Sequence, residues 1–214
     1  MMAPQPERPR LLVATTNKGK LREIRGILSS MGVALVGLSE TRLDQSFEES
    51  GGSFAENAAA KAMHFHSLSD LPTIADDSGL VVDALDGRPG ILSSRYLGAG
   101  APYSEKMAQI LRELRGKAGS EREANFTCAL SLAIGGRLAS SIIKKVYGSI
   151  AAEPRGDGGF GYDPIFYSPQ LGQTFGQAGQ RDKDRISHRG QALRALRALL
   201  ETHEGLRREI GLAG

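Results

Sequence analysis

Several residue types are scarce or missing in this chain of 214 residues, and each absence excludes a class of protein. Tryptophan is absent, and the single cysteine, Cys128, rules out an intrachain disulfide framework and a cysteine-rich zinc site. No stretch approaches the roughly 20 apolar residues that a membrane-spanning helix needs. Residues 1–10 are not followed by an apolar run long enough for a signal peptide, and they predict a flexible tail. We therefore expect a soluble, cytoplasmic protein with no membrane partner.

The charge balance also lacks a strong bias. The net charge is +3, from 27 basic and 24 acidic residues. The densest basic pairs, Lys144–Lys145 and Arg207–Arg208, are short. A nucleic-acid-binding protein usually has basic residues clustered on one face. A solvated charged surface and no nucleic-acid partner are the simpler interpretation.

The apolar spacing predicts alternating strands and helices. Residues 11–14 form a short apolar run, residues 15–20 a polar loop, and a helical pattern follows from Leu21. Every second residue from Ala124 to Ile134 is apolar over eleven residues, and this alternation predicts the strongest strand of the chain. Gly135–Gly136 should turn this strand into a hairpin partner.

Capping residues predict where three helices begin. Ser53 with Glu56 forms a capping-box pattern, and Ser104 and Ser187 each precede an apolar helical pattern. Strands and helices interleave early, and a long hairpin lies in the middle of the chain. We expect an α/β fold with a mixed central sheet and flanking helices, in which residues 11–214 form one domain of two lobes around a cleft.

A polar segment between the first strand and the first helix has the composition of an anion-binding turn. Free amides at a helix N-terminus favour an anion, and the two lysines add positive charge. The spacing of a P-loop is absent, so an ordinary polar turn remains an alternative. The segment consists of Thr15, Thr16, Asn17, Lys18, Gly19 and Lys20.

Two adjacent carboxylates, Asp76 and Asp77, follow a buried-looking strand and precede Ser78 and Gly79. In an extended chain neighbouring side chains point in opposite directions, so both cannot enter the same core. Carboxylate oxygens are ligands for magnesium, which also retains waters and bridges phosphates. The acidic pair Glu48–Glu49 could add a further carboxylate. A polar turn, and a solvated acidic turn at 48–49, remain alternative interpretations.

Two later segments have the composition of a nucleobase site. In residues 158–164, glycines on both sides of Phe160 could leave its ring exposed as a stacking platform, with Asp163 as a nearby acceptor. At 187–190, His188 and Arg189 can stack and donate hydrogen bonds, with Lys183 upstream. A tight turn with a buried Phe, and a basic surface patch around a helix cap, remain the alternatives.

These segments together closely resemble the inosine/xanthosine triphosphate pyrophosphatase family. The resemblance covers roughly residues 10 to 200 in the expected order. It is carried by Thr15–Lys20, by Ser-Phe-Ala-Glu-Asn-Ala at 53–58, by Ala-Asp-Asp-Ser-Gly-Leu at 75–80, by residues 158–166 and by Ile-Ser-His-Arg-Gly at 186–190. The resemblance implies hydrolysis of dITP, ITP and XTP to the monophosphate and pyrophosphate, dependence on Mg²⁺, and a homodimer.

The resemblance also implies residue roles. Asp77 would be the proton acceptor and, with Glu48, would bind Mg²⁺. Thr15, Thr16, Asn17, Lys18, Gly19 and Lys20 would hold the substrate, chiefly its phosphates, and Lys61 and Ser78 would line the triphosphate path. The base and sugar would be held by Phe160, Gly161, Tyr162, Asp163, Lys183, His188 and Arg189. Thr16 stands where Gly is frequent in the family, so the backbone there is expected to be less free.

Two functions of other kinds compete with this hypothesis. A nucleotide- or RNA-binding module without catalysis would use the same lysines and Phe160 but would need no carboxylate pair. A pyrophosphatase acting on canonical or pyrimidine nucleotides would differ in its substrates. Release of pyrophosphate from a panel of nucleotides distinguishes all three.

Overall fold

The structure is a computed structural model, and it describes residues 8–43 and 46–212. Its strands are β1 Arg10–Val13, β2 Ala34–Gly37, β3 Thr73–Val82, β4 Glu123–Ile134, β5 Arg137–Ile150, β6 Phe166–Ser168 and β7 Gln173–Thr174. Its helices are α1 Lys18–Leu28, α2 Phe54–Ser69, α3 Tyr103–Glu113, α4 Gln180–Ile186, α5 His188–Thr202 and α6 Glu204–Ile210.

One mixed sheet organises the molecule, as the sequence predicts. The strands lie in the order β2-β1-β3-β4-β5-β6-β7. β1 is parallel to both β2 and β3, and the later pairings are antiparallel. The hairpin of β4 and β5 forms as expected, with Gly135 and Gly136 at φ values of 58° and 74°. Such positive values are easily adopted only by glycine, which explains this turn.

Helices cover both faces of the sheet. Alternate residues of β4, from Cys128 to Ile134, pack with α1, α5 and α6 on one face. On the opposite face Ala62 and Phe65 of α2 pack against β1 and β3. A separate apolar cluster joins α3 to the other ends of β3, β4 and β5. The long strands therefore connect two packed regions, and the junction between these regions is where a cleft is expected.

Part of β3 has no neighbouring strand on the side facing β1. β1 pairs with β3 only at Thr73 and Ile74, and the next bridge along this edge, within the described residues, joins Val81 to Pro89. β4 pairs with β3 along its whole length on the other side. The intervening edge is open beside the carboxyl end of β1, which is where ligands bind in open α/β sheets.

The continuity of β3 rules out one of the alternative interpretations. Asp76–Gly79 is not a turn between two strands, because its residues pair in register with β4 from Leu130 to Thr127. The carboxylates of Asp76 and Asp77 consequently point to opposite faces, as the alternation rule requires.

Two helix starts and one capping interaction differ from the expectations. α1 begins at Lys18 rather than near Leu21, because Oδ1 of Asn17 accepts the amides of Gly19 and Lys20. Ser53 caps α2, but the Glu56 carboxylate accepts the amide of Gly52 rather than that of Ser53. Pro102, not Ser104, holds the N-cap position of α3. Ser187 caps α5 as predicted, by accepting the amide of Gly190.

The predicted flexible segment, residues 1–10, includes a residue that belongs to the sheet. Arg10, placed in the flexible segment, begins β1, and the carbonyl of Pro9 accepts the amide of Ala34. Residues 1–7 of the predicted tail lie outside the described residues. No helix within the described residues is long and apolar enough to cross a membrane.

Candidate active site

A cavity opens along the free edge of β3, and the predicted site residues converge on it. It is bounded by the β1–α1 turn, the loop after β3, the 160–163 loop and the start of α5. Its lining includes these predicted residues: Asn17, Lys20, Asp77, Ser78, Phe160, Gly161, Tyr162, Asp163, Lys183, His188 and Arg189. Five lining residues were not predicted: Gly79, Ser93, Ser94, Tyr103 and Phe126.

The β1–α1 turn places only part of the predicted phosphate segment in the cavity. Thr15 is buried behind it, with Oγ1 accepting the amide of Asn17 at 3.2 Å. Thr16 and Lys18 are exposed, and neither is among the lining residues. Gly19 packs against Phe160, since a Cβ there would lie 2.7 Å from the ring. This close approach explains why position 19 requires glycine.

A buried cluster of six alternating charges forms the floor of the site. Nζ of Lys20 lies 3.2 Å from Asp76, and Nε of Arg189 lies 2.9 Å from the same carboxylate. Glu23 bridges Arg189, at 2.6 Å, to Lys183, at 2.8 Å. Lys183 also contacts Asp163 at 2.6 Å. Three cations thus face three carboxylates, which satisfies the requirement that buried charges be paired.

Asp77 lies outside this cluster and has a different electrostatic setting. Its Oδ2 accepts a hydrogen bond from Nδ2 of the buried Asn57 at 2.9 Å. Burial and the nearby negative charge of Glu49 raise the pKa of Asp77, against the opposing effect of Lys20. Asp76 behaves oppositely, because Lys20 and Arg189 outweigh burial and hold its pKa far below the usual range. Of these two carboxylates, Asp77 is therefore the one whose surroundings favour the uptake of a proton.

The acidic segment before α2 is arranged differently from the expectation. Glu48 is exposed in a separate groove beside Phe47 and His64, so the structure does not bring it to Asp77. Its neighbour Glu49 is half-buried and acts electrostatically on Asp77. Neighbouring residues in an extended segment point in opposite directions, which explains why only one of the two acids faces the site.

Glu49 connects two further cations to the site. Its carboxylate lies 2.6 Å from Nζ of Lys61 and 3.2 Å from Nη1 of Arg95. Nη2 of Arg95 also donates to the Glu49 carbonyl at 2.9 Å. Burial opposes ionisation of Glu49, but Lys61, Lys20 and Arg95 outweigh it and lower its pKa. Lys61 is therefore held beside the site through Glu49, although it does not line the cavity.

The ring of Phe160 is less open than the flanking glycines suggest. It is half-buried against Gly19, and the ammonium of Lys183 lies 4.6 Å from the ring centroid. The guanidinium of Arg189 lies 5.5 Å from the same centroid. Cations at these distances are attracted by an aromatic face. The ring is held over the buried charges, at the boundary between the floor and the opening of the cavity.

Most hydrogen-bond donors of the predicted base site are already occupied. The nitrogens of Arg189 donate to Asp76, Glu23 and Ser78. Asp163 accepts from Lys183 and from the amide of Phe160, so it stabilises its own loop. These bonds give both side chains a positioning function in addition to any contact with substrate.

His188 is the exception among these groups. Its ring stacks on Phe126, with centroids 4.8 Å apart and planes 13° apart. Burial and the charges of Arg189 and Lys183 hold the pKa of His188 well below its usual value, so the imidazole is neutral at pH 7. Its Nδ1 is buried and has no hydrogen-bond partner within the described residues. Because His188 also lines the cavity, this nitrogen is available to bond a water or a ligand atom there.

Two important residues carry no motif that identifies their function. Glu23 lies three residues after Lys20 on α1, which places both on one helix face beside apolar Ile24. An acidic residue on the predicted buried face of a helix indicates that a buried cation pairs with it. Ser93 has no such signal: its hydroxyl accepts the amide of Leu80, and its carbonyl accepts the hydroxyl of Tyr162.

Comparison with known proteins adds independent information. The sequence profile described as "Ham1 family" matches residues 11–199. A "dITP/XTP pyrophosphatase" of Geobacillus kaustophilus is 44% identical over 186 residues, covering 87% of this chain and 91% of the relative. The protein of the same name in Geobacter sulfurreducens is 44% identical over 196 residues, covering 92% and 96%.

A solved structure agrees with the fold. The HAM1 protein of Coxiella burnetii superposes with a TM-score of 0.80 at 38% sequence identity. The match covers 90% of this chain and 98% of that protein. The seven-stranded sheet and its flanking helices are therefore those of known Ham1 structures.

Proposed function

Because the chain belongs to the Ham1 family, whose profile spans residues 11–199, we propose that it hydrolyses non-canonical purine nucleoside triphosphates to the monophosphate and pyrophosphate. The substrates are dITP, ITP and XTP, in keeping with the dITP/XTP pyrophosphatases that it resembles over most of its length. The enzyme removes these nucleotides from the pool available to polymerases.

One observation carries the proposal. A cationic turn at a helix N-terminus, a carboxylate with a raised pKa and a buried neutral imidazole all belong to one cavity, represented by Lys20, Asp77 and His188. The cationic turn can bind phosphates, the carboxylate can accept a proton from water, and the imidazole can hydrogen-bond a nucleobase. A binding module without catalysis would have no need for Asp77 in this setting.

The donor set around Asp77 fits a divalent cation. Glu49 pairs with Lys61 and Arg95 but its negative charge still acts on Asp77, and a cation bound at Asp77 would relieve that repulsion. Within 8–43 and 46–212 no group of three or more His, Cys, Asp or Glu is arranged to hold a metal. Mg²⁺ tolerates few protein ligands because phosphates and waters complete its coordination. Bound there, Mg²⁺ would neutralise phosphate charge and acidify a water. Glu48 remains a predicted ligand that would have to turn inward.

The residues of the chain supply the rest of the mechanism. The ammonium of Lys20 and the positive end of the α1 dipole hold the phosphates, because Asn17 already accepts the amides of Gly19, Lys20 and Leu21. Asp77, oriented by Asn57, accepts the proton of the attacking water. Lys61, near the same end, stabilises charge that accumulates on the leaving pyrophosphate. Asp76 anchors Lys20 and Arg189 and keeps its own charge throughout.

Base selection is assigned to the opposite end of the cavity. Lys183 donates to Glu23 and Asp163, which leaves one ammonium hydrogen for a ligand. That hydrogen, and the unpartnered His188, can bond the 6-oxo group of hypoxanthine or xanthine. Adenine carries an amino group at that position, so a donor would be left unpaired. An unpaired buried polar group can discriminate by several orders of magnitude.

A pyrophosphate-release assay tests the proposed function. We expect release from ITP, dITP and XTP that needs a divalent cation, is lost on adding a chelator and returns with excess Mg²⁺. ATP should be turned over at least about 100-fold more slowly, because its amino group leaves the donors for the 6-oxo group unpaired, and GTP and the pyrimidine triphosphates should also be poorer substrates. Equal turnover of the canonical nucleotides would favour a different pyrophosphatase. Binding of nucleotide with no release from any triphosphate would favour a binding module.

Replacement of Phe160 by alanine should raise KM for the purine triphosphates. A base stacked on an aromatic ring gains roughly 1–3 kcal/mol, which corresponds to about 5- to 150-fold in KM. The loss should be similar for ITP and XTP, because stacking does not distinguish them. Steady-state kinetics measures it, with Phe47→Ala, outside the cavity, as the aromatic control. A KM for ITP equal to that of the wild type would contradict a stacking function.

Three broader assignments accompany this function. Residues 11–214 act as one domain with the cavity between its two lobes. The active form is a homodimer, for which the exposed Ile143 and Tyr147 on β5 provide apolar surface. The protein works in the cytoplasm, whose reducing conditions suit a single, buried, unpaired Cys128.

A further inference from the structure

Tyr103, the first residue of α3, forms a wall of the cavity that no motif predicts. Its ring lies beside Gly161, where an added Cβ would be 3.6 Å from Cε1 of the tyrosine. It meets the ring of Tyr162 edge-on, with centroids 5.1 Å apart and planes 87° apart. Tyr103 is thus packed directly against the loop that carries Phe160 and Asp163.

A buried lysine fixes this wall in place. Lys106 is only 1% exposed. Its Nζ lies 4.8 Å from the centroid of the Tyr103 ring and donates to the carbonyl of Ser94 at 2.6 Å. Within the described residues it has no carboxylate partner. Burial lowers the pKa of Lys106. Burying a cation is costly, and the contacts with this ring and this carbonyl offset part of that cost and join Tyr103 to the segment that carries Ser94.

The hydroxyl of Tyr103 has no internal partner. It makes no hydrogen bond within residues 8–43 and 46–212, although the residue is half-buried and lines the cavity. Burial and the charge of Asp163 raise its pKa, and Arg189 opposes them. The hydroxyl is therefore protonated at neutral pH and close to the groups that form the base-recognition end. The hydroxyl is not among the fully buried polar atoms, so it is accessible to a ligand that enters the cavity.

We propose that Tyr103 is a substrate-contacting residue whose hydroxyl hydrogen-bonds the nucleoside half of the nucleotide, at an oxygen or nitrogen of the base or at the sugar. The inference rests on the proposed function and adds to it a residue outside the family motifs. Tyr103 would recognise the nucleoside without contacting the pyrophosphate.

Binding of the two products, IMP and pyrophosphate, tests whether Tyr103 contacts the nucleoside half of the nucleotide or its phosphates. We expect Tyr103→Phe to weaken the binding of IMP by roughly three- to tenfold, the effect of one lost hydrogen bond, and to leave the binding of inorganic pyrophosphate unchanged. Isothermal titration with each product measures this. Tyr96→Phe is the matched control, because its hydroxyl bonds Glu113 outside the cavity, and it should bind both products normally. A thermal melt of each variant checks that the fold is intact.

The outcomes distinguish this inference from the function on which it rests. Equal losses for IMP and dIMP would assign the bond to the base or to a sugar oxygen that both nucleotides share, and a loss for IMP alone would assign it to the 2′-hydroxyl; both support the proposal. Unchanged IMP binding, or an equal loss for pyrophosphate, would overturn it. The wild-type protein tests the proposed function separately: if it neither binds IMP nor releases pyrophosphate from ITP, that function is wrong.

Discussion

Replacing Asp77 by asparagine is expected to lower kcat for ITP by at least about 100-fold, while nucleotide binding stays measurable. Asparagine keeps the shape of the side chain and can still bond Asn57, but it cannot accept a proton. It also removes one of the two carboxylates available to a metal. The loss should therefore appear in kcat far more than in the affinity for nucleotide.

Steady-state pyrophosphate release and titration with IMP measure the two quantities separately. Asp83→Asn is the matched control, because Asp83 is an exposed aspartate immediately after the same strand. It should retain wild-type activity. If Asp77→Asn hydrolysed ITP at close to the wild-type rate, Asp77 would not be the proton acceptor.

Replacing Glu23 by alanine is expected to reduce the free energy of unfolding by about 3 kcal/mol, the lower end of the range for breaking a buried ion pair. Lys183 and Arg189 would each retain one carboxylate, Asp163 and Asp76, so neither cation would be fully unpaired. The cluster would nevertheless carry three cations against two carboxylates. Urea denaturation measures the loss, and Glu23→Gln, which keeps polar contacts, should lose less.

The pH dependence provides a second measurement on the same variant. Burial works against ionisation of Glu23, but Arg189 and Lys183 outweigh it and hold its pKa below the usual value. A carboxylate with a lowered pKa contributes stability above its unfolded pKa, roughly 4, and this stability is lost as the pH falls. The difference in the free energy of unfolding between the wild type and Glu23→Ala should therefore become smaller below about pH 4.

An exposed pair serves as the control for Glu23. Glu201 pairs with Arg197 at 2.7 Å on the surface of α5, one turn apart. Glu201→Ala should cost less than about 1 kcal/mol, because solvent screens exposed pairs. If Glu23→Ala and Glu201→Ala both lowered the free energy of unfolding by less than about 1 kcal/mol, the buried charge cluster would not stabilise the fold as proposed.

The sequence predicts elements well where a local pattern decides them. The alternation of residues 124–134, the Gly135–Gly136 turn and the Ser187 cap are all present. The mixed sheet follows from these patterns and is confirmed. The alternative of a polar turn at Asp76–Gly79 is wrong for a physical reason. Polar residues and a glycine resemble a turn, but pairing with β4, far along the chain, keeps them extended.

The sequence predicts which residue types form the site, but it does not predict which of them contact one another. Motifs identify Lys20, Asp77 and His188 because their residue types match a known chemistry. No local pattern reveals that Glu49 rather than Glu48 faces Asp77, since that depends on how the loop lies against α2. Tyr103 likewise can be identified as a cavity residue only from the structure, in which α3 packs beside the 160–163 loop.

The one-sided pairing of β3 determines which parts of the enzyme can adjust. Asp77 and Ser78 belong to a strand joined to β4 along its full length, so displacing them would break many backbone hydrogen bonds at once. Gly79 is in close contact with Ser93 and Gly90, which further restrains that backbone. Any adaptation to nucleotides of different size must therefore come from the opposite walls, the β1–α1 turn and the 160–163 loop. The chemistry is fixed on a rigid element, and variation in substrate range can arise around it without disturbing the reacting groups.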